Sequence, residues 1–208
     1  SLRLSLAGAG SKFVPVTVRD ATYVLDEICN NETELPIREH TTDTAGATEI
    51  IFALFDLLGF RFAPRLRDLN DRRLFASGPI DMQRYPRLQP HIPGRINRPR
   101  ILDWWEDMLR VAGSMKLGWV TASLLVQKLQ AYPQQNALAR ALQEYGRLAR
   151  TLHILRWYGS PEDRRRFLRQ LNKGEARHDV RDFVMVANKG QLHQSRGEAF
   201  AHQALCLN

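Results

Sequence analysis

The chain has 208 residues, 44% of them hydrophobic, with 30 Lys and Arg against 22 Asp and Glu, a formal charge of +8 and a pI of about 10.0. This supports a real core in one domain with insertions or in two small ones, and the positive charge points to an anionic partner, nucleic acid before membrane; a merely basic protein is the plain alternative. Two distant cysteines, Cys29 and Cys206, exclude a disulfide framework or zinc spacing, and the longest apolar run, Ile50 to Phe55, is too short for a membrane span.

In chain order, residues 1–12 read as coil, with a faint likeness to a signal peptide but too short an apolar core and no initiating Met. A piece of a longer, intracellular protein is expected. Phe13 to Val18 alternates as a strand broken by Pro15, and Asp20 to Cys29 has helical spacing at Ala21, Val24, Leu25 and Ile28. Leu35 to His40 predicts a strand. Ile50, Ile51, Leu54, Phe55, Leu57 and Leu58 predict a helix closed by Gly59. Asp43 sits between these two elements. A carboxylate there either caps the helix or projects from the strand end and holds a metal ion.

From Arg61 to Arg100 six prolines and ten arginines alternate, without a lysine, and regular structure is hard to assign. Arg61, Arg65, Arg67, Arg72 and Arg73 are candidate DNA contacts, because a guanidinium offers a planar fork to phosphate. Residues 101–159 predict helices, with Pro133 ending one and Asn136 capping the next. The tryptophans are expected in the core, with base stacking as the sharper alternative. Ser160-Pro161-Glu162-Asp163 starts another helix, which Asn172-Lys173-Gly174 should weaken or kink before Glu175. Phe183, Val184 and Val186 look buried, and a last helix is expected around Glu198 to Leu207.

Charge is unevenly placed. Residues 1–60 carry 4 basic and 9 acidic groups, 61–100 carry 10 and 3, and 140–177 carry 10 and 4. Two basic blocks thus accompany an acidic segment that holds Asp43. Asp43 and Glu175 are the carboxylates from distant segments that would suit a pair of divalent cations, roughly 3.5–4 Å apart, acting on a phosphodiester. Glu175 also reads simply as a surface partner of Arg177 or Arg181.

Several stretches are more particular than any pattern. They are Val18-Arg19-Asp20-Ala21-Thr22-Tyr23-Val24-Leu25-Asp26, Thr42-Asp43-Thr44-Ala45-Gly46, Leu57-Leu58-Gly59-Phe60-Arg61-Phe62-Ala63-Pro64-Arg65, Gly113-Ser114-Met115-Lys116-Leu117-Gly118 and Leu171-Asn172-Lys173-Gly174-Glu175-Ala176. From about Arg19 to Asn208 the chain resembles the C-terminal catalytic region of the Tn-three family of replicative, cointegrate-forming transposases. The resemblance implies an α/β, mostly helical chain: a partial ribonuclease H-like fold with a helical insertion between the second Asp and the Glu of a DDE site. The segments are then 1–60 (partial core), 61–159 (arginine-rich loop and insertion) and 160–208 (helices of the Glu).

It further implies Asp43 and Glu175 as catalytic metal ligands, two Mg²⁺ ions, and Lys173 with the arginines on DNA. The reaction is 3′ end cleavage at transposon ends and strand transfer to target DNA, in a bacterial cytoplasmic homodimer. The family's first Asp lies in a Ser-Asp-Gly setting that this chain does not contain, so the chain is expected to be inactive alone. The alternative is a non-catalytic basic DNA-binding module or an inactive remnant.

Overall fold

The computed structural model describes residues 20–29, 37–42, 47–66, 73–81, 83–131 and 136–184, without the side chains of Asp20, Gln130, Glu175 and 177–184. The expected strand at Phe13 to Val18, the burial of Phe183, Val184 and Val186, and the helix near Glu198 lie outside what is described. The chain divides into two compact units, Ser1–Arg165 and Arg166–Asn208.

The described residues form seven helices and four short strands, so the chain is α/β and mostly helical. Helix α1 is Asp20–Cys29, as its spacing predicts. Strand β1 is Glu39–Thr42, four residues later than the Leu35 start expected from the sequence. Its partner is β2, Arg61–Pro64, which lies in the Pro-broken stretch that the sequence left unassigned. The two pair in parallel, Glu39 with Arg61 through Thr42 with Pro64. Helix α2, Glu49–Leu57, makes the crossover. Gly59, at φ 81°, turns the chain out of α2 in the left-handed region that glycine tolerates.

Ile50 to Phe55 are six consecutive buried residues, so this stretch of α2 is apolar on every side and must be covered all round. Helix α6, Ala137–Gly159, is its main cover. The two helices approach so closely at Gly146 that a Cβ there would overlap the backbone carbonyl of Glu49. Asn136 caps α6 as expected, its Oδ1 accepting from Ala139 N at 3.0 Å.

Helices α3 (Arg98–Asp103), α4 (Trp105–Lys116) and α5 (Ala122–Ala131) complete the first unit. Helix α5 packs on α1. Buried Asp26 of α1 accepts from Ala122 N and from Ser123 N (3.3 Å), and Thr121 Oγ1 accepts from Leu124 N at 3.3 Å. The start of α5 is therefore capped mainly from a helix 96 residues away.

Strands β3 (Phe75–Ala76) and β4 (Gly94–Arg95) form a second, two-residue parallel pair. Helix α7, Pro161–Val184, begins as the sequence predicts, with Ser160 Oγ accepting from Asp163 N at 3.1 Å. It then runs unbroken through Asn172-Lys173-Gly174, which corrects the expected weak point: one glycine costs a helix about 1 kcal/mol, too little to end one of this length.

The tryptophan expectation holds only in part. Trp157 is buried and Trp104 packs partly into the core, but Trp105 is at the surface and Trp119 is 76% exposed. Trp119 follows Gly118 (φ 73°), in the tight turn after α4.

The rings of His40, Phe55 and Phe62 stack at centroid distances of 4.7–6.1 Å, and His153 lies tilted 5.8 Å from Phe52. Burial lowers the His40 pKa to about 4. Burial likewise brings His153 to about 4; its bond to the Pro64 carbonyl (3.0 Å) opposes this, and the charges of Arg156, Arg150 and Arg61 add to it. Both rings are neutral at pH 7, whereas in the unfolded chain they titrate near 6.5. As pH falls the unfolded chain takes up these protons first. The contribution is therefore intact above about pH 6.5 and is lost progressively down to about pH 4. Urea unfolding at pH 7.5 and pH 5 should show a loss on the order of a few kcal/mol at the lower pH. Equal stability at both would contradict neutral burial of these rings.

Candidate nucleic-acid interface

The parallel register of β1 and β2 brings two candidate segments to one edge. Both strands finish at the same end, and Arg65 N donates to Thr42 O at 2.8 Å. The chain leaving β1 for position 43 and the chain leaving β2 into the arginine-rich loop thus depart side by side. In open parallel sheets this carboxyl end of the strands is where ligands bind.

Asp43 itself lies outside the described residues. The alternative of a helix cap is nonetheless corrected, because the N-cap of α2 is Thr48. Glu175 lies on α7, with its side chain undescribed, and Lys173 is exposed on the same helix. Arg67 and Arg72 lie outside the described residues.

Arg61 is at the opposite end of the strand pair from Arg65, where its Nη1 donates to Glu39 Oε2 at 3.2 Å. Arg73 is exposed and lines a cleft of about 410 Å³ with Glu49, Phe75, Gln143, Arg147 and Arg150. The register of the strands thus brings Arg65 to the end of β1, sets Arg61 at the other end, and leaves Arg73 on the cleft.

The cleft is built mainly by α6. Gln143, Arg147 and Arg150 recur at i, i+4 and i+7 on one face of it. Phe75 is tied to that helix, its N donating to Thr151 Oγ1 at 3.0 Å. Arg147 donates to Glu144 Oε1 at 2.6 Å, and its guanidinium carbon stands 4.9 Å from the Phe75 ring centre. Glu144 is buried and also accepts from Asn97 N at 2.9 Å, so it ties the start of α3 to α6. Arg150 donates to Glu49 Oε1 at 2.8 Å. Sequence reasoning missed these α6 residues. The one signal was the basic block over 140–177, diluted there by the apolar pattern of a packed helix.

Among the described residues no three His, Cys, Asp or Glu side chains gather as a metal site. The described acids around the strand pair are committed elsewhere: Glu39 to Arg61, Glu49 to Arg150, Glu144 to Arg147, and Asp56 to the Tyr145 hydroxyl at 2.6 Å. Burial, followed by the bond to Asp56 and its charge, pushes the Tyr145 hydroxyl well above its ordinary range. It stays protonated and keeps Asp56 occupied. Asp43 and Glu175, the acids singled out from the sequence, are not among the described side chains. Their hard carboxylate oxygens are the donor type that Mg²⁺-sized ions take. No described helix is long and apolar enough to cross a membrane.

Residues 4–208 match the family profile of the Tn3 transposase DDE domain. The chain is 48% identical over 198 residues to the transposase for transposon Tn501 of Pseudomonas aeruginosa, covering 95% of this chain and 20% of that protein. Over 199 residues it is 43% identical to the transposase for Tn1546 of Enterococcus faecium, covering 95% and 20%. The transposase for transposon gamma-delta of Escherichia coli (strain K12) is 36% identical over 181 residues, 87% of this chain and 18% of that protein. The chain thus spans about a fifth of the length of the curated relatives it matches. No solved structure matches it significantly.

Proposed function

Because the chain belongs to the Tn3 transposase DDE domain family, we propose that it serves metal-dependent phosphoryl transfer on DNA, the 3′ end cleavage and strand transfer of replicative transposition. In this reading β1, α2 and β2 belong to a ribonuclease H-like core within residues 1–60 and the strand that follows. Residues 61–159 are an arginine-rich loop and a helical insertion, and 160–208 carry the helix of the final acid. Asp43 and Glu175 are carboxylate ligands of divalent cations, Mg²⁺ by preference. When bound, such an ion supplies Lewis-acid activation of the phosphodiester.

The chain's own residues do the rest. Arg65, Arg67, Arg72 and Arg73, with Lys173 on α7, neutralise backbone phosphates and hold the strand for in-line attack. The supporting observation is the shared end of the parallel strands, which sets the exit toward position 43 beside Arg65. Transposon ends and target DNA are the substrates of this reading. A homodimer in the bacterial cytoplasm is its setting.

The test is nicking of transposon-end duplexes in Mg²⁺ by a transposase of the relatives' full length that carries this sequence. Asp43→Asn and Glu175→Gln should each lower the rate on the order of 10³-fold, the several kcal/mol of a lost metal ligand. Undiminished nicking by both variants would remove them from the site. A basic module that binds DNA without catalysis is the second reading, favoured by the net charge of +8 and by the lack of a gathered acid cluster among the described residues. It predicts salt-sensitive DNA binding indifferent to Mg²⁺.

A further inference from the structure

Resting on the DNA reading, we propose that the cleft between α6 and the Arg73–Phe75 segment is a subsite for one backbone phosphate of DNA, gripped by Arg147 and Gln143 with Arg73 at its rim. Neither α6 residue belongs to the arginine-rich loop or to the carboxylate site.

The geometry favours an anion of this kind. Arg147 is held from two sides, by Glu144 Oε1 at 2.6 Å and by the face of Phe75 at 4.9 Å. Its fork is set before a ligand arrives, so little side-chain freedom is lost on binding. Glu49, the one acid among the described lining residues, is engaged by Arg150 at 2.8 Å. Among the described lining residues, three guanidiniums against Glu49 leave +2, and +1 when Glu144 behind Arg147 is counted. Gln143 and Arg73 have no side-chain partner among the described residues, so their donors are available to a phosphate oxygen. With guanidiniums and an amide on its walls, the cleft suits a phosphodiester and not an apolar small molecule.

The cleft also has a fixed place relative to the strand ends. Glu49 is both its acidic wall and the first residue of α2, and the Gly146 approach locks that residue against α6. A phosphate held here lies beside the helix start reached from the loop after β1. The strand ends and the α6 face then act on one backbone.

The experiment measures binding of a fluorescein-labelled DNA duplex to this chain by anisotropy, across about 50–200 mM salt. Arg147→Gln should lower affinity about tenfold near 0.1 M salt and reduce the slope of log K against log salt by about 0.9, the signature of one lost phosphate contact. Gln143→Glu leaves every described ion pair intact and places a negative charge in the cleft. It should weaken binding at least as much, with an unchanged unfolding midpoint. Arg110→Gln on α4, outside the cleft, should bind like the parent chain. If the parent chain binds DNA and both cleft variants keep its affinity and slope, the subsite is wrong while the DNA reading stands. If the parent chain shows no binding at low salt, both fall.

Discussion

Replacing Gly146 by Ala lowers the unfolding free energy by at least about 3 kcal/mol, or leaves no cooperative transition at all. The added methyl would overlap the Glu49 carbonyl oxygen and carbon. These are backbone atoms at the first turn of α2, so no rotamer change relieves the overlap, and α2 must move off α6. That interface buries Ile50, Ile51, Leu54 and Phe55 against α6 and its neighbours. Moving the helices apart also opens the Arg150–Glu49 ion pair.

The control is Gly113→Ala on α4, where a Cβ meets nothing within 4 Å. That change should be neutral or should stabilise by about 0.5–1 kcal/mol through helix propensity and reduced freedom of the unfolded chain. Urea melts of the two variants separate the cases. Equal midpoints would mean that α2 and α6 do not meet as described.

Asp26→Ala should cost about 2–4 kcal/mol. The carboxylate is buried between α1 and α5 and accepts from the amides of Ala122 and Ser123. Without it those two amides face the interior with no acceptor, and the attraction between a negative charge and the helix start is lost. Asp26→Asn keeps one acceptor oxygen and should retain roughly half of the effect. A loss below 0.5 kcal/mol in Asp26→Ala, by urea unfolding at pH 7, would show that the amides find another partner.

The same chemistry explains what was legible before the fold was known. The caps at Asn136 and Ser160 each act within three residues, so the local sequence carries the whole signal. Helices α1 and α2 follow from spacing. Strand β1 was displaced because Glu39-His40-Thr41-Thr42 has no alternation of its own; its register comes from β2, 22 residues on. Asp26 read as an ordinary helix residue because the amides it caps lie 96 residues away. Gly146 drew no notice in the sequence because only α2 gives it meaning. At the candidate site, Asp43 and Glu175 were named through resemblance and Arg65 through the charge of its segment, while the strand that ends beside Arg65 was not expected. Gln143, Arg147 and Arg150 were hidden, since a helix both packed and basic looks like an ordinary amphipathic one.

The apolar wrap of α2 bears on how the chain is made. Its cover, α6, begins at Ala137, roughly 80 residues after α2 ends. At about 5–20 residues per second, ribosomal synthesis leaves Ile50 to Phe55 without that cover for on the order of 4–16 s. A nascent segment with six apolar residues in a row is a natural client for a chaperone during that interval. Closure of α6 over it is the step that ends the exposure and fixes the first unit.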